Sequence, residues 1–251
     1  MAASVEIRRL TTPQELFAAA ADEVVRAANE AVAQRGRFTI ALSGGSTPRS
    51  LYNLLATNAR TTFPWDHTFF FWSDERHVPP TDPESNYRMA GEAMLSKVPV
   101  AASNVFRVLA ENPDAAASAQ AYEQALRNFF QLNSGEVPRF DLILLGLGPD
   151  GHTASLFPES AGLQERSRLV IANWVEKFKT SRITFTLPVL NAARTVAFLV
   201  SGTDKAPALH AVLEDKAAPG ERYPAKLVRP TDGNLIWFVD RAAASELALT
   251  A

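Results

Sequence analysis

The chain has 251 residues, 47% hydrophobic and 21% charged, with a formal net charge of −2. So much apolar material with so little net charge excludes a disordered chain, and the balance of signs excludes a broad basic surface for nucleic acid or anionic lipid. The sequence has no cysteine, which excludes disulfides, thiolate metal sites and thiol nucleophiles and fits a reducing compartment.

Met1–Glu6 has no basic stretch followed by an apolar run, so no secretory signal is expected. Val5–Leu10 reads as a short strand. Thr12-Pro13-Gln14-Glu15 supplies a cap, a proline at the first helical position and a capping-box glutamate. Leu16, Ala20, Val24, Ala27 and Ala31 follow at helical spacing, with Gly36 as the stop. Phe38–Leu42 is an apolar run of strand length, Ser43–Pro48 a turn, and Pro48 opens a helix to about Ala56. His67–Trp72 is a buried-type strand, Ser73–Ser85 a polar loop and Asn86–Leu95 a helix; Val105–Val108 is a short strand candidate. Asp114–Leu132 reads as a long alanine-rich helix, Phe140–Leu145 as a strand and Gly146–His152 as a glycine-rich turn. Leu169–Val175, Arg182–Thr186, Thr195–Val200 and Leu235–Val239 are further strands, and Ala206–Leu213 and Arg241–Leu249 helices.

Apolar strands separated by amphipathic helices predict an α/β fold whose mostly parallel sheet is covered on both faces. No linker-like shift in composition divides the chain, so one domain over residues 1–251 is expected. The longest apolar runs are of strand length, so no membrane span is expected, and the expected compartment is cytoplasmic. In such sheets ligands sit outside the carboxyl ends of the strands, which directs attention to the turns there.

Three turns carry chemistry. In Ser43-Gly44-Gly45-Ser46-Thr47-Pro48 the glycines let backbone N–H groups approach an anion, a helix start adds unpaired N–H groups, and Ser43, Ser46 and Thr47 add hydroxyls. The blander reading is a glycine turn with a helix cap. It is not a Walker A loop, because no Gly-Lys-Ser/Thr follows. Ser73-Asp74-Glu75-Arg76-His77 ends a buried strand with titratable groups, for which a solvated loop is the plain alternative. A metal held by Asp74, Glu75 and His77 is disfavoured, since neighbours in an extended segment point to opposite sides. Gly146-Leu147-Gly148-Pro149-Asp150-Gly151-His152 matches a dinucleotide fingerprint. Against that reading, Pro149 removes an N–H from the loop, polar residues follow where an apolar helix face belongs, and the acidic residue Glu176 comes later than the usual ~20 residues. His152 beside Asp150 suits a general base, because a free imidazole titrates near pH ~6.5. Arg182 and Lys205, each beside a strand end, are candidate partners for an anion held at the glycine turn.

Taken together, Ser43–Pro48, Ser73–Arg76, Gly146–Pro158 and Arg182–Pro188 resemble 6-phosphogluconolactonases, in that family's order and spacing and over nearly the whole chain. The resemblance implies a three-layer α/β/α sandwich with a Rossmann-like sheet, similar to glucosamine-6-phosphate deaminases and ribose-5-phosphate isomerases. It implies hydrolysis of 6-phosphoglucono-1,5-lactone to 6-phosphogluconate in the oxidative pentose phosphate pathway, with no metal or organic cofactor. The implied partner is a small sugar-phosphate lactone, with no nucleic acid or membrane, and the chain is expected to be a monomer or weak homo-oligomer. The expected catalytic residues are His152, Asp74, Asp150 and Arg76. The expected phosphate-binding residues are Ser43, Gly44, Gly45, Ser46, Thr47, Arg182 and Lys205, the last two carried over from the deaminases. Donors for the oxyanion are sought in the N–H groups near Gly45 or Arg76, and Asp74 or Asp150 is expected to orient His152. A covalent route through Ser43 or Ser46 is disfavoured, as neither lies in a Gly-x-Ser-x-Gly elbow. Two rivals remain: a sugar-phosphate deaminase or isomerase, and a non-catalytic sugar-phosphate-binding regulator. In the deaminases a glutamate five residues after the histidine helps open the sugar ring; here that position is Phe157.

Overall fold

The computed structural model describes residues 4–59 and 61–248. Met1–Ala3 and Leu249, which fall in two of the segments read above, lie outside the described residues.

Six strands build a parallel sheet: β1 (Ser4–Leu10), β2 (Phe38–Leu42), β3 (Thr68–Trp72), β5 (Leu142–Gly146), β8 (Thr195–Val200) and β9 (Asn234–Asp240), in the order β1-β9-β8-β5-β2-β3. The central strands are apolar on both faces because both are covered, and the period of two shows which residue meets which layer. Ile40, Leu42, Leu142 and Leu144 pack with Leu16 and Val24 of α1 (Pro13–Arg35) and Leu51 and Leu55 of α2 (Ser46–Asn58). The intervening Ala41, Ile143 and Leu145 pack on the other face with Leu126 of α4 (Ala115–Phe130), Leu190 of α5 (Leu187–Ala192) and Leu209 of α6 (Ala206–Leu213). The result is the expected three-layer α/β/α arrangement. Helix α1 starts as read from the sequence, with Thr12 Oγ1 accepting from the Glu15 N–H at 3.2 Å and the Glu15 carboxylate accepting from the Thr11 N–H at 2.9 Å. No described helix is long and apolar enough to cross a membrane.

Strand order fixes where a ligand can sit. From β2 the chain moves outward to β3, then returns to place β5 on the opposite side of β2. The reversal opens a crevice above the carboxyl ends of β2 and β5, the topological switch point. The Ser43–Thr47 turn leaves β2 at that crevice and the Gly146–His152 turn leaves β5.

Several elements depart from the sequence reading. Asp74–Arg76, read as loop, is a strand, β4. It pairs with β7 (Thr180–Phe185), which pairs with β6 (Val170–Val175), in a separate antiparallel sheet. The segments read as Leu169–Val175 and Arg182–Thr186 are strands, but they do not join the parallel sheet. Only 4 residues separate β6 from β7, in the Glu176–Lys179 turn, enough for a hairpin and too few for a parallel crossover. Val105–Val108 is reduced to one bridge, Val105 to Phe70, with the Phe106 N–H donating to Phe70 O at 2.8 Å. Helix α3 is shorter than read, Asn86–Ala93, and α5 was not foreseen. The C-terminal helix is only a 3-10 turn at Ala243–Glu246.

Candidate active site

The glycine turn is held from below. The Ser43 N–H donates to the Tyr52 hydroxyl at 2.9 Å, and that hydroxyl donates to Ser43 O at 2.9 Å. Burial pushes the Tyr52 hydroxyl far above its ordinary range, so it stays a donor. Gly45, at φ +108°, takes a backbone conformation that side chains disfavour, and it starts α2 without a side-chain cap. The first N–H groups of this 13-residue helix therefore have no capping side chain, and the positive end of its dipole faces the crevice.

From the small antiparallel sheet comes β4. Asp74 is buried; its Oδ2 accepts from Ser155 Oγ at 2.6 Å and its Oδ1 from Asn86 Nδ2 at 3.4 Å. Glu75 is buried too, and its carboxylate accepts from the N–H groups of Arg76, Asn86 and Tyr87 and from Ser85 Oγ. It ties the two ends of the 76–85 loop together. Burial raises its pKa, and the N–H donors oppose that rise. His77 leaves the site, its Nε2 donating to Asn112 O at 2.6 Å. The Asp74, Glu75 and His77 side chains thus serve three different purposes, as alternation along an extended segment requires.

The turn after β5 holds the imidazole. Gly148 N–H donates to His152 O at 2.8 Å and Gly151 N–H to Gly148 O at 2.9 Å, so these N–H groups close the turn instead of facing a pyrophosphate. His152 Nδ1 donates to Asp150 Oδ1 at 2.5 Å. A Cβ on Gly148 would lie 2.0 Å from that nitrogen, so only glycine admits the ring here. The Phe157 ring stacks on the imidazole at 4.1 Å. Burial by itself raises the Asp150 pKa, but the hydrogen bond and charge of His152, with Lys177 at 3.9 Å, outweigh it and hold the carboxyl at about 2. Asp150 is therefore an acceptor at neutral pH, which puts the proton of neutral His152 on Nδ1 and leaves Nε2 as the basic nitrogen.

Cations close the remaining side. Arg76 and Arg182 face each other across the β4–β7 ladder. Burial lowers the Arg182 pKa, and the nearby Arg76 charge lowers it further. Arg76 Nη1 donates to Glu84 O at 2.5 Å, and the Arg182 guanidinium lies 5.1 Å above the Phe178 ring. The Nε atoms of both arginines and Ser43 Oγ are buried without a hydrogen-bond partner among the described residues. Two like charges held together with unpartnered donors can receive an anion. Lys205, just before α6, pairs with the exposed Asp204 at 2.9 Å.

One cleft of about 210 Å³ is lined by Ser43, Gly44, Gly45, Asp74, Arg76, His152, Arg182 and Lys205, among others. The structure thus assembles most of the site residues read from the sequence. Ser46 and Thr47 lie on the first turn of α2 and are not among the lining residues. Asp150 stands behind His152, not in the lining, and it is Asp150 that contacts the imidazole; Asp74 is held by other groups. The Arg76 N–H, a candidate oxyanion donor, is engaged by Glu75 at 2.8 Å. Sequence reasoning missed Asn86 and Ser155. Asn86 directly follows the Ser73–Ser85 segment and Ser155 lies within the Gly146–Pro158 motif, but only long-range packing brings them to Asp74.

The profile of the glucosamine-6-phosphate isomerases/6-phosphogluconolactonase family matches residues 11–237. A protein of Nostoc sp. named 6-phosphogluconolactonase is 44% identical over 234 residues, covering 93% of this chain and 95% of its own. A Synechocystis sp. protein of the same name is 45% identical over 218 residues, covering 87% and 88%. The solved structure of 6-phosphogluconolactonase from Trypanosoma brucei superposes with a TM-score of 0.87 at 31% identity, covering 98% of this chain and 99% of that one. A monomeric glucosamine-6-phosphate deaminase superposes at 0.80, but at 21% identity it shares the fold alone.

Proposed function

The chain belongs to the glucosamine-6-phosphate isomerase/6-phosphogluconolactonase family, and from that premise we propose that it hydrolyses 6-phosphoglucono-1,5-lactone to 6-phosphogluconate in the oxidative pentose phosphate pathway. The observation that carries this reading is the imidazole braced by Asp150, facing the same cleft as two guanidiniums whose buried Nε atoms have no hydrogen-bond partner among the described residues. The deaminase reading needs a proton-relaying side chain at Phe157, and this ring packs flat on His152 instead. We place the enzyme in the cytoplasm and assign the whole chain to one domain.

In the proposed scheme the phosphate dianion binds between the glycine turn and the cations Arg76, Arg182 and Lys205. Arg76, expected from sequence to serve the reacting carbonyl, is assigned to the phosphate end because it stands opposite Arg182. Charge-assisted hydrogen bonds there fix the lactone over the His152 turn, so that water attack becomes a positioned event. His152 Nε2 takes a proton from water as its oxygen bonds to the carbonyl carbon, and the carbonyl electrons move to oxygen. The tetrahedral intermediate collapses, the bond from carbon to the ring oxygen breaks, and the imidazolium returns the proton to that oxygen as it leaves as a hydroxyl. The new carboxyl group loses its proton to solvent. Asp150 keeps the ring in the right tautomer and stabilises its charged form. Asp74 is assigned to the sugar hydroxyls, and the free N–H groups of the glycine turn are the remaining oxyanion donors.

A direct test supplies freshly made lactone, couples product to a dehydrogenase and subtracts spontaneous hydrolysis, while ammonia release from glucosamine 6-phosphate is followed in parallel. Lactone hydrolysis without ammonia is the expected result. Ammonia release without lactone hydrolysis assigns the chain to deamination, and binding without either reaction assigns it to regulation.

The Asp150–His152 pair gives a pH prediction. Asp150 stays ionised down to about pH 2, so it does not produce the acid limb of activity. In Asp150→Asn the carboxylate that accepts from Nδ1 becomes an amide that can also donate, so the ring is no longer held in one tautomer. The plateau of kcat/KM is expected to fall by about ten-fold or more, the loss expected when a general base is no longer oriented. A plateau within about two-fold of wild type in a pH–rate profile disproves the orienting role of Asp150.

A further inference from the structure

We propose that Asn86, through its side-chain amide, is the positioning residue that sets the Asp74 carboxylate between the two ends of the cleft. This rests on the lactonase reading of the same site and adds to it a residue that holds the sugar end together.

Asn86 is buried and lines the cleft as the first residue of α3. Its main chain is anchored by the Glu75 carboxylate, which accepts its N–H at 2.7 Å. Its Nδ2 donates to Asp74 O at 3.0 Å and reaches Asp74 Oδ1 at 3.4 Å. Two acceptors on that side fix the amide orientation, since its oxygen there would meet only other oxygens. The amide oxygen is thereby turned toward the glycine turn, where a Cβ on Gly44 would lie 1.8 Å from it. Gly44 is thus a glycine because Asn86 occupies the space of its side chain. The other oxygen of Asp74 is held by Ser155 Oγ at 2.6 Å, three residues beyond His152. Asp74 is consequently clasped from two sides, by the segment that carries the imidazole and by Asn86, which itself abuts the phosphate turn. A carboxylate aimed in this way offers a fixed acceptor to a sugar hydroxyl at no cost in rotamer freedom when substrate arrives.

The test compares Asn86→Ala and Asn86→Asp with the wild-type enzyme in lactone turnover and in calorimetric binding of 6-phosphogluconate and of inorganic phosphate. For Asn86→Ala, KM and the product dissociation constant are expected to rise about ten-fold, with affinity for inorganic phosphate changed less than about two-fold, as expected for one hydrogen bond to a charged group. Asn86→Asp keeps the size and sets a second carboxylate against Asp74, so it is expected to weaken product binding more than Asn86→Ala does. A space-filling role predicts the reverse order, and that order overturns the proposal. So does unchanged product affinity in Asn86→Ala, or an equal loss for inorganic phosphate, which assigns Asn86 to the glycine turn. In an Asp74→Asn background the Asn86→Ala effect is expected to shrink; full additivity also overturns the coupling. If the wild-type enzyme neither opens the lactone nor binds product, it is the lactonase reading that fails.

Discussion

His152→Ala is expected to lower lactone turnover by about 10²–10⁴-fold, the usual worth of a positioned general base. No other described group contacts Asp150 as a neutral nitrogen base, and none stands in for Nε2. The residual rate comes from phosphate binding and from the oxyanion donors, which stay in place. The side chain lies at the cleft with 26% of its surface exposed, so its removal opens no closed cavity. It does uncover one face of Phe157, and a small drop in Tm is expected alongside a cooperative melt. Product affinity is expected to stay within about three-fold, since the cation end is untouched. Turnover within ten-fold of wild type, after subtraction of spontaneous hydrolysis, removes His152 from the mechanism.

Arg182→Ala is expected to raise KM for the phosphorylated lactone by about 10–100-fold, the loss that accompanies removal of a charge-assisted hydrogen bond. The contrast with stability makes this informative. Arg182 makes no side-chain hydrogen bond among the described residues, is partly desolvated and is repelled by Arg76. Removing it relieves the desolvation and that repulsion, which outweigh the attraction of Asp74, Glu84 and Glu75, and gives up the stacking on Phe178 at 5.1 Å. Tm is therefore expected to hold or rise while phosphate recognition collapses, the trade-off expected when a residue serves a ligand and not the fold. Hydrolysis of unphosphorylated gluconolactone, already slow without the clamp, is expected to be unaffected. Equal losses on both lactones show that Arg182 does not read the phosphate.

These two residues also mark how far sequence reasoning reaches. His152 was legible because its neighbours announce it. A strand ending in glycines, an aspartate two positions before the histidine and a proline that forbids the dinucleotide fold of the loop are all local facts, and the Asp150 contact closes within the turn itself. Arg182 was legible from its own segment only as a cation beside a strand end, a candidate partner for an anion, and the resemblance added the phosphate role. Nothing in its own segment says that it meets Arg76, more than a hundred residues earlier, because that meeting depends on β4 pairing with β7 in a sheet of its own. Asp74–Arg76 was read as a loop since three polar residues carry no apolar alternation; the strand exists because the partner strand supplies its hydrogen bonds.

From the sequence alone came what short-range chemistry writes down: caps and stops of helices, apolar runs that must be buried on both faces, and turns whose glycines and hydroxyls suit an anion. These depend on neighbours within one turn or one strand, and the residues themselves carry that information. Tertiary structure decided the rest. It set which two turns flank the reversal in strand order, took β6 and β7 out of the parallel sheet, gave Glu75 to the backbone of a loop, and placed Asn86 and Ser155 on Asp74. A contact between distant segments is a property of two patterns and of the space between them, so neither segment can encode it alone.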